Sequence, residues 1–332
     1  MRVAVLGGGA WGTALAAHLA RSGQAPRLWM RDPERARALN ATRENREYLQ
    51  GVALPEALRA TADLGEAAEA DILLVAIPSA HCRAFYTGLR PLLPAGARLV
   101  SAVKGIETAT LRRMTEVAAE CLPGHEVSVL SGPSFALEVA REQPTTVVVA
   151  ARDLAFAEQV QRLLSTRTLR AYSSEDVVGV EMGGALKNVI AIAAGIVDGL
   201  GYGQNTAAAL VTRGLAEMTR LATSLGARAE TLYGLAGLGD LVLTCTGGLS
   251  RNRRVGQALG RGLSLAQALE ALGGGAAHQV AEGVGTTPAA CALAERQGVE
   301  MPIAFQMRAV LRAEKAPRAA VDELMLRSLK RE

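Results

Sequence analysis

Two lysines in the middle of the chain stand in settings where a lysine can do chemistry. Lys187 lies in the apolar segment GGALKNVIAIAAGI, and Lys104 ends the strand-like segment RLVSAVKG. Burial among apolar groups lowers the pKa of a lysine toward the range that suits proton transfer, and ligands bind at the carboxyl ends of parallel strands. We therefore predict proton transfer by Lys187 and a ligand contact for Lys104. The structural alternatives are a snorkelling lysine on a surface helix and a solvated loop lysine.

A carboxylate with an adjacent hydroxyl occurs in the segment GLGDLVLTCT. Asp240 lies there in an apolar, glycine-rich setting, and Thr244 follows one turn later on the same face of the expected helix. A carboxylate that is buried in such a setting needs a partner. A catalytic lysine is one such partner and a helix terminus is the other, so the segment indicates either a catalytic pair or a cap.

The segment SRNRRVGQAL begins a helix with an unusual concentration of arginine. Ser250 has the position of an N-cap, and Arg251, Arg253 and Arg254 fall in the first turn, where the helix dipole disfavours cations. Backbone N–H groups, the serine hydroxyl, the Asn252 amide and a guanidinium together suit a phosphate dianion. We predict a phosphate site at this helix start. Acidic neighbours are the alternative explanation for the arginines.

A glycine fingerprint occurs at the start of the chain, in VAVLGGGAWGTALA. Gly7, Gly9 and Gly12 have the G-x-G-x-x-G spacing, and they follow a strand pattern and open a helix pattern. In that context Gly7 permits the tight turn, Gly9 the approach of a pyrophosphate and Gly12 the helix–strand contact. The sequence therefore predicts a dinucleotide site here.

The choice between NAD and NADP stays open at this point. Asp32 follows Gly12 at the spacing expected for a ligand of the adenosine 2′-hydroxyl, which favours NAD. Arg31 directly precedes it and suits a 2′-phosphate or the adenine ring. Asp32 also has the position of an N-cap for the helix that begins at Pro33, so the cofactor is predicted only as NAD(P)H.

The elements that must position these residues divide the chain near residue 175. Short apolar strand patterns alternate with helix patterns in the first part, which predicts a Rossmann-type, mostly parallel sheet covered on both faces. Helix patterns with glycine-rich joints follow to the end. The expected architecture is an α/β dinucleotide-binding domain over residues 1–175 and an all-helical substrate-binding and catalytic domain over residues 176–332.

The composition excludes several other classes of function. The net charge of +4 is small and the basic residues are scattered, so no nucleic-acid footprint is indicated. The four cysteines form no CxxC pair, which argues against a disulfide framework or a metal site and fits a reducing cytoplasm. The chain opens directly on a strand pattern and has no long uninterrupted apolar run, so we expect neither a leader segment nor membrane insertion.

Six segments in order carry a specific resemblance. They are GGGAWGTALA, SAVKGIE, SGPSFALEVA, ALKNVIAIAAGI, GLGDLVLTCTGGLSRNRRVG and VAEGVGTT, and the match that contains them runs from residue 2 to about residue 310. The chain resembles the NAD(P)-dependent glycerol-3-phosphate dehydrogenases of the bacterial biosynthetic type. The resemblance implies reversible reduction of dihydroxyacetone phosphate to sn-glycerol 3-phosphate with NAD(P)H, in support of glycerophospholipid synthesis, by a cytoplasmic homodimer.

The resemblance also implies a role for each matching residue. Lys187 corresponds to the proton donor, and the other residues around the reacting centre are Asn188, Lys104, Asp240 and Thr244. The implied substrate contacts include Lys104, Lys187 and Asp240 and are completed by Gly132, Ser134, Ser250, Arg251 and Asn252. The implied cofactor contacts are the three fingerprint glycines with Ala10, Trp11, Arg31, Lys104, Ala136, Arg251, Val280 and Glu282.

Two other functions are compatible with parts of the pattern. A dehydrogenase for a β-hydroxy acid carboxylate would also place lysine and asparagine on a helix after the sheet. A dinucleotide sensor would keep the fingerprint without chemistry. The SRNRR cluster after GLGDLVLTCT favours a phosphorylated ketone over the carboxylate, and the two mid-chain lysines favour an enzyme over a sensor.

Overall fold

The computed structural model describes residues 1–273 and 281–329. The backbone forms two compact units. The first comprises Met1–Lys104 and Arg112–Glu181, and the second comprises Gly105–Leu111 and Met182–Glu332. The division falls inside a helix, between Glu181 and Met182, and not at the end of the last strand near residue 175.

The first unit alternates strands and helices. Its strands are β1 (Val3–Leu6), β2 (Arg27–Trp29), β3 (Arg59–Thr61), β4 (Ile72–Val75), β5 (Arg98–Ser101), β6 (Val127–Ser131), β7 (Thr145–Ala150) and β8 (Leu169–Ser174). Its helices are α1 (Ala10–Arg21), α2 (Pro33–Thr42), α3 (Leu64–Ala68), α4 (Cys82–Leu89), α5 (Met114–Cys121), α6 (Ala136–Ala140) and α7 (Leu154–Leu164). Single 3₁₀ turns at Ser79–His81 and Arg90–Leu92 flank α4.

The strands form one eight-stranded sheet in the order β3-β2-β1-β4-β5-β6-β7-β8. Neighbouring strands are parallel except β6 and β7, which are antiparallel. Alternate residues of β1 pack into two separate apolar clusters. Val3 and Val5 belong to one cluster, and Ala4 and Leu6 belong to the other. Apolar clusters on both faces explain why the strands are continuously apolar. The prediction of a mostly parallel sheet is confirmed.

The second unit is helical over its described residues from Met182 onward, whereas its segment Gly105–Leu111 contains no helix. Helix α8 (Val177–Gly199) begins in the first unit and continues into the second. The helices that follow are α9 (Gln204–Ser224), α10 (Ala229–Tyr233), α11 (Asp240–Thr246), α12 (Arg251–Gly260), α13 (Leu265–Glu270), α14 (Glu282–Gln297), α15 (Pro302–Leu311) and α16 (Pro317–Met325), with a π-helical turn at Leu235–Gly239 before α11. The predicted succession of helices after the sheet is confirmed.

Helix α8 is the central element of this unit. By length and composition it alone among the described helices could cross a membrane, but its most apolar window is entirely buried inside the protein. A core helix of this kind passes the same test. Glycine and alanine are frequent along it, and they allow neighbouring backbones to come close.

Candidate functional site

The glycine turn between β1 and α1 has one open position and two closed ones. Gly7 has φ of +128°, and a Cβ added there would lie 2.4 Å from the Ala76 carbonyl oxygen. A Cβ on Gly12 would lie 1.8 Å from the Gly7 carbonyl oxygen. At Gly9, which is the N-cap of α1, an added Cβ would meet nothing within 4 Å. The chain itself therefore requires glycine at the first and third positions, and the middle position faces open space at a helix N-terminus.

A buried asparagine supports this turn from another part of the first unit. The Asn45 side-chain amide donates to the Gly8 carbonyl at 3.0 Å and to the Thr13 hydroxyl at 2.8 Å. Both side chains are buried. Sequence reasoning missed this pair, because Asn45 lies far from the fingerprint along the chain and belongs to no motif.

The other predicted dinucleotide residues of this unit lie around the same turn and the end of β2. Ala10 begins α1, and Trp11 packs partly buried against the sheet with its indole N–H buried and unpaired. Arg31 is exposed. The Asp32 carboxylate caps α2, accepting from the Glu34 and Arg35 backbone N–H groups at 2.9 and 3.3 Å. Of the two functions left open for Asp32, the structure shows the cap, and the NAD-versus-NADP choice stays open.

Lys104, Gly132 and Ser134 converge on one carbonyl. The Lys104 ammonium donates to the Gly132 carbonyl oxygen at 3.1 Å, and the Ser134 hydroxyl donates to the same oxygen at 3.0 Å. Gly132 has φ of +122° where β6 ends, and Ala136 begins the short helix α6 nearby. Lys104 is half-buried and is not the solvated loop lysine considered from its sequence setting.

Lys187, Asp240 and Thr244 form a buried polar cluster in the second unit. The Lys187 ammonium on α8 contacts the Asp240 carboxylate at the start of α11, with side-chain exposures of 8% and 1%. It also donates to the Thr244 hydroxyl at 2.8 Å, and that hydroxyl donates to the Asp240 backbone carbonyl at 2.6 Å. The predicted lysine–carboxylate pair is confirmed, and a snorkelling surface lysine is excluded.

The start of α12 has the predicted cap and part of the predicted cationic site. The Ser250 hydroxyl accepts from the Arg253 backbone N–H at 3.2 Å. The Arg253 guanidinium donates to Asp198 at 2.9 Å, so an acidic neighbour accounts for one of the arginines. Arg251 reaches solvent, but partial desolvation lowers its pKa and the nearby Glu282 carboxylate opposes that shift. Arg251 is the first residue of α12, so its cationic side chain begins in the first turn of this helix.

Asn188 and Asn252 join α8, α12 and α14. The Asn252 amide donates to the Asn188 side-chain oxygen, and the Gly283 backbone N–H donates to the Asn252 side-chain oxygen, each at 2.9 Å. Both asparagines are buried. Glu282 lies half-buried at the first position of α14. Val280 lies outside the described residues, so the structure gives no account of its predicted cofactor contact.

The two units therefore present complementary chemistry. The first has a helix N-terminus behind an open glycine position, and the second has a buried ammonium that is paired with a carboxylate. A helix N-terminus of this kind binds the phosphates of a dinucleotide. A buried ammonium can polarise and protonate a carbonyl oxygen. Among the described residues, His, Cys, Asp and Glu form no group of three that could hold a metal ion.

Family models match most of the chain. Residues 2–157 match the model described as NAD-dependent glycerol-3-phosphate dehydrogenase N-terminus, and residues 176–322 match the model described as NAD-dependent glycerol-3-phosphate dehydrogenase C-terminus. The first match contains strands β1 to β7, and the second begins just before α8 and ends within α16.

Two curated proteins and one solved structure are similar to the chain over almost their full length. The chain is 54% identical to glycerol-3-phosphate dehydrogenase (NAD(P)+) of Nitratidesulfovibrio vulgaris strain DP4, covering 100% of both chains. It is also 54% identical to the enzyme of that name from Geobacter sulfurreducens, covering 100% of this chain and 98% of that one. The crystal structure of glycerol-3-phosphate dehydrogenase from Coxiella burnetii superposes with a TM-score of 0.93 at 42% identity, over 98% of this chain and 99% of that chain.

Proposed function

Because the chain belongs to the NAD-dependent glycerol-3-phosphate dehydrogenase family, we propose that its Lys187 cluster is the proton-transfer centre of this reaction. The enzyme reduces dihydroxyacetone phosphate reversibly to sn-glycerol 3-phosphate with NAD(P)H, as full-length relatives of that name indicate. The observation that carries the assignment of the centre is the buried contact between the Lys187 ammonium and the Asp240 carboxylate.

The cofactor fits the first unit at the glycine turn. The open face of Gly9, the N–H groups of Ala10 and the first turn of α1, and the unpaired indole N–H of Trp11 suit a pyrophosphate and its attached nucleoside. When bound there, NAD(P)H supplies the hydride that reduces the ketone carbon. Further proposed cofactor contacts, carried over from the resemblance, are Arg31, Lys104, Ala136, Arg251, Val280 and Glu282.

Lys187 protonates the oxygen that becomes the new hydroxyl group. The negative charge that develops on the ketone oxygen during reduction is stabilised by the ammonium, which then gives up a proton to it. Asp240 favours the protonated lysine, because an opposite charge at hydrogen-bond distance stabilises the charged form. Thr244 accepts from the ammonium at 2.8 Å and so fixes its direction. Asn188 follows Lys187 on the same helix and completes the proposed reacting centre.

The phosphate group of the substrate binds at the start of α12 in this proposal. Ser250, Arg251 and Asn252 supply a hydroxyl, a guanidinium and an amide N–H, and the helix N-terminus adds further N–H groups. Binding energy from a phosphate remote from the reacting carbon holds the ketone in place for proton transfer. Lys104 adds positive charge beside the substrate, and Gly132 and Ser134 complete the proposed contacts.

The resemblance to the family also suggests a cellular context for the enzyme. We propose that the product supplies glycerophospholipid synthesis and that the enzyme works in the cytoplasm without membrane insertion. We also propose that residues 1–175 bind the cofactor and that residues 176–332 bind the substrate. We also propose a homodimer. Sedimentation analysis of the purified protein would measure the oligomeric state.

The test of the assignment compares wild type with Lys187→Ala in NADH and NADPH oxidation with dihydroxyacetone phosphate. We expect turnover in wild type and a loss in kcat of about 10²–10⁴-fold in the variant, the usual contribution of a positioned acid. NADH binding, measured by fluorescence, should be retained. The wild-type rates with the two cofactors also decide the preference that Arg31 and Asp32 leave open.

The matched control is Lys315→Ala. Lys315 is also a partly buried lysine paired with a carboxylate, Glu323, but it lies between α15 and α16 away from the Lys187 cluster. Its loss should leave kcat unchanged. Wild-type protein that binds NADH without oxidising it in the presence of dihydroxyacetone phosphate would contradict the activity. A Lys187→Ala variant as fast as wild type would contradict only the role of the lysine.

A further inference from the structure

A π-helical turn immediately precedes Asp240. It spans Leu235–Gly239, and its defining hydrogen bond runs from the Gly239 N–H to the Gly234 carbonyl at 3.1 Å. A π turn contains one residue more than an α turn and occurs often at functional sites. Each residue of an α-helix turns the chain by about 100°, so the extra residue changes the direction in which the following side chain points. The turn therefore sets the direction of Asp240.

Two glycines allow this turn to lie where it does. A Cβ on Gly237 would lie 2.0 Å from the Leu232 carbonyl oxygen, so the turn cannot close around a larger residue. A Cβ on Gly183 of α8 would lie 2.5 Å from the Ala236 carbonyl oxygen. The backbone of the π turn thus rests directly on α8 at Gly183.

Helix α8 contacts this segment at two places, and the residues of the two contacts are four positions apart in each segment. Gly183 and Lys187 are four residues apart on one face of α8, and Ala236 and Asp240 are four residues apart across the π turn. Gly183 contacts Ala236, and Lys187 contacts Asp240. The first contact is a backbone approach that has no room to adjust, and the second is the ion pair. The position of the carboxylate against the ammonium therefore depends on how closely the turn approaches Gly183.

We propose that the π turn and Gly183 are positioning elements that hold the Asp240 carboxylate against the Lys187 ammonium and thereby set the pH range over which the lysine is charged. The inference rests on the proposed function of Lys187 as the proton donor. An α turn in place of the π turn, or a Cβ at Gly183, moves the carboxylate away from the ammonium. Gly183 and Gly237 do not touch the reacting atoms and act only through Asp240.

The sign of the effect follows from the charges around the pair. Asp240 stabilises the protonated lysine, so a longer separation makes Lys187 lose its proton at lower pH. The other titratable group beside the pair on α11 is the Cys245 thiol, whose pKa burial raises to about 12, so it stays neutral. Arg253 of α12, near that thiol, is paired with Asp198. Neither group reverses the expected direction.

The experiment compares the pH dependence of kcat for ketone reduction in wild type, Gly183→Ala and Gly199→Ala. Gly199 is a matched control on the same helix, since a Cβ there would lie 2.4 Å from the Gln257 carbonyl oxygen but three turns beyond Lys187. Both variants should lower the melting temperature. In Gly183→Ala alone, the alkaline limb of the profile should move to lower pH by about one unit, since an ångström of added separation weakens a buried pair by about that much.

Two further variants extend the test, and the first of them covers the case in which Gly183→Ala does not fold. Deleting Leu238, the half-buried residue inside the turn, converts the π turn to an α turn and should shift the same limb downward. Replacing Asp240 by Glu in the Gly183→Ala background lengthens the carboxylate arm and should recover part of the shift. Profiles that coincide with wild type in the folded variants would overturn the proposal, as would an equal shift in Gly199→Ala.

A measurement without turnover separates this inference from the proposed function. The rate at which a small amine-reactive reagent modifies Lys187, followed by mass spectrometry as a function of pH, reports the charge of the lysine directly. A downward shift in Gly183→Ala supports the positioning role even if dihydroxyacetone phosphate is not reduced. An unshifted modification profile together with normal wild-type turnover would refute the positioning role and leave the proposed function intact.

Discussion

The Asn252 side chain donates a hydrogen bond of 2.9 Å to the Asn188 side chain, and both amides are buried. This bond joins the residue after the proposed proton donor to the first turn of the proposed phosphate-binding helix. The Gly283 N–H completes the link to α14. A Cβ on Gly283 would lie 2.6 Å from the Asn188 carbonyl oxygen, so the backbones of α8 and α14 meet closely at this point. These bonds fix the spacing between the proposed proton donor and the proposed phosphate site within the helical unit.

Asn252→Ala should weaken both folding and substrate binding. The change leaves the buried Gly283 N–H and the Asn188 oxygen without their partner, which costs about 1–3 kcal/mol in the free energy of unfolding. The loss of a bond to a phosphate should raise KM for dihydroxyacetone phosphate about tenfold or more. Chemical denaturation and steady-state kinetics measure the two effects.

Asn40→Ala is the control for that prediction. The Asn40 amide also makes two hydrogen bonds, to the Ala60 carbonyl at 2.8 Å and from the Ala60 N–H at 2.9 Å, but in the first unit between α2 and β3. It should lose stability without a change in KM. An Asn252→Ala enzyme with a wild-type KM and reduced stability would show that Asn252 has a structural role only.

Helices α8 and α12 run parallel with their backbones in direct contact. Each has a G-x-x-x-G pair at the contact, Gly195 with Gly199 and Gly256 with Gly260. A Cβ on Gly195 would lie 1.9 Å from the Arg253 carbonyl oxygen, and one on Gly256 would lie 2.0 Å from the Ile192 carbonyl oxygen. Small residues permit this approach, and no side chain there can move aside to make room.

Gly256→Ala should therefore destabilise the protein even though alanine favours helices. Forcing a methyl group into a closed backbone contact costs about 1–3 kcal/mol. Gly88→Ala provides the contrast, because Gly88 is exposed on α4 and a Cβ there meets nothing within 4 Å. That change should raise the unfolding free energy by about 0.4–1 kcal/mol. Urea titrations of both variants in parallel measure the changes in the free energy of unfolding. Equal changes in the two variants would argue against a closed α8–α12 contact.

The sequence predicts the chemically active residues of the site better than it predicts the residues that hold them in place. Lys187 and Asp240 stand out because charged residues in apolar, glycine-rich segments need partners, and their contact follows from that need. The Asn45 support of the glycine turn has no such signal, because its partners lie far away and an asparagine in a loop is ordinary. The sequence does not indicate the role of Gly183 either, because only the fold brings Ala236 into contact with it.

Some features of the sheet also could not be predicted from the sequence. Six strands have apolar runs that predict them. Strand β8 (LRAYSS) has no such run, and β3 contains only Arg59–Thr61 and also lacks one. Strand β3 forms because β2 offers a free edge for pairing. The antiparallel direction of β7 is also absent from its sequence, since a strand buried on both faces is apolar throughout whichever way it runs. The short helix α6 between β6 and β7 permits the reversal.

The buried carboxyl group of Glu217 leads us to predict that part of the stability of the protein is lost as pH rises. Its buried carboxylate on α9 accepts from the Ile303 and Ala304 N–H groups at 2.8 and 3.3 Å and so caps α15 from another helix. Burial raises the pKa of Glu217 from 4.5 to about 7, and the two backbone bonds only partly oppose this. The folded protein therefore holds a proton at this carboxyl between these two pH values, whereas the unfolded chain has released it.

The contribution of Glu217 to stability should fall as pH rises from about 4.5 to about 7, by about 3 kcal/mol in total. Glu217→Gln stays neutral throughout and should remove this slope, although it loses one acceptor and about 1 kcal/mol at the acidic end. Glu323→Gln is the control of opposite sign, because Lys315 and Gln306 lower the pKa of that carboxyl. Its native contribution is lost as pH falls. Urea unfolding across this range should show wild type losing stability relative to Glu217→Gln as pH rises, and parallel curves would mean that Glu217 is ionised in the folded protein throughout.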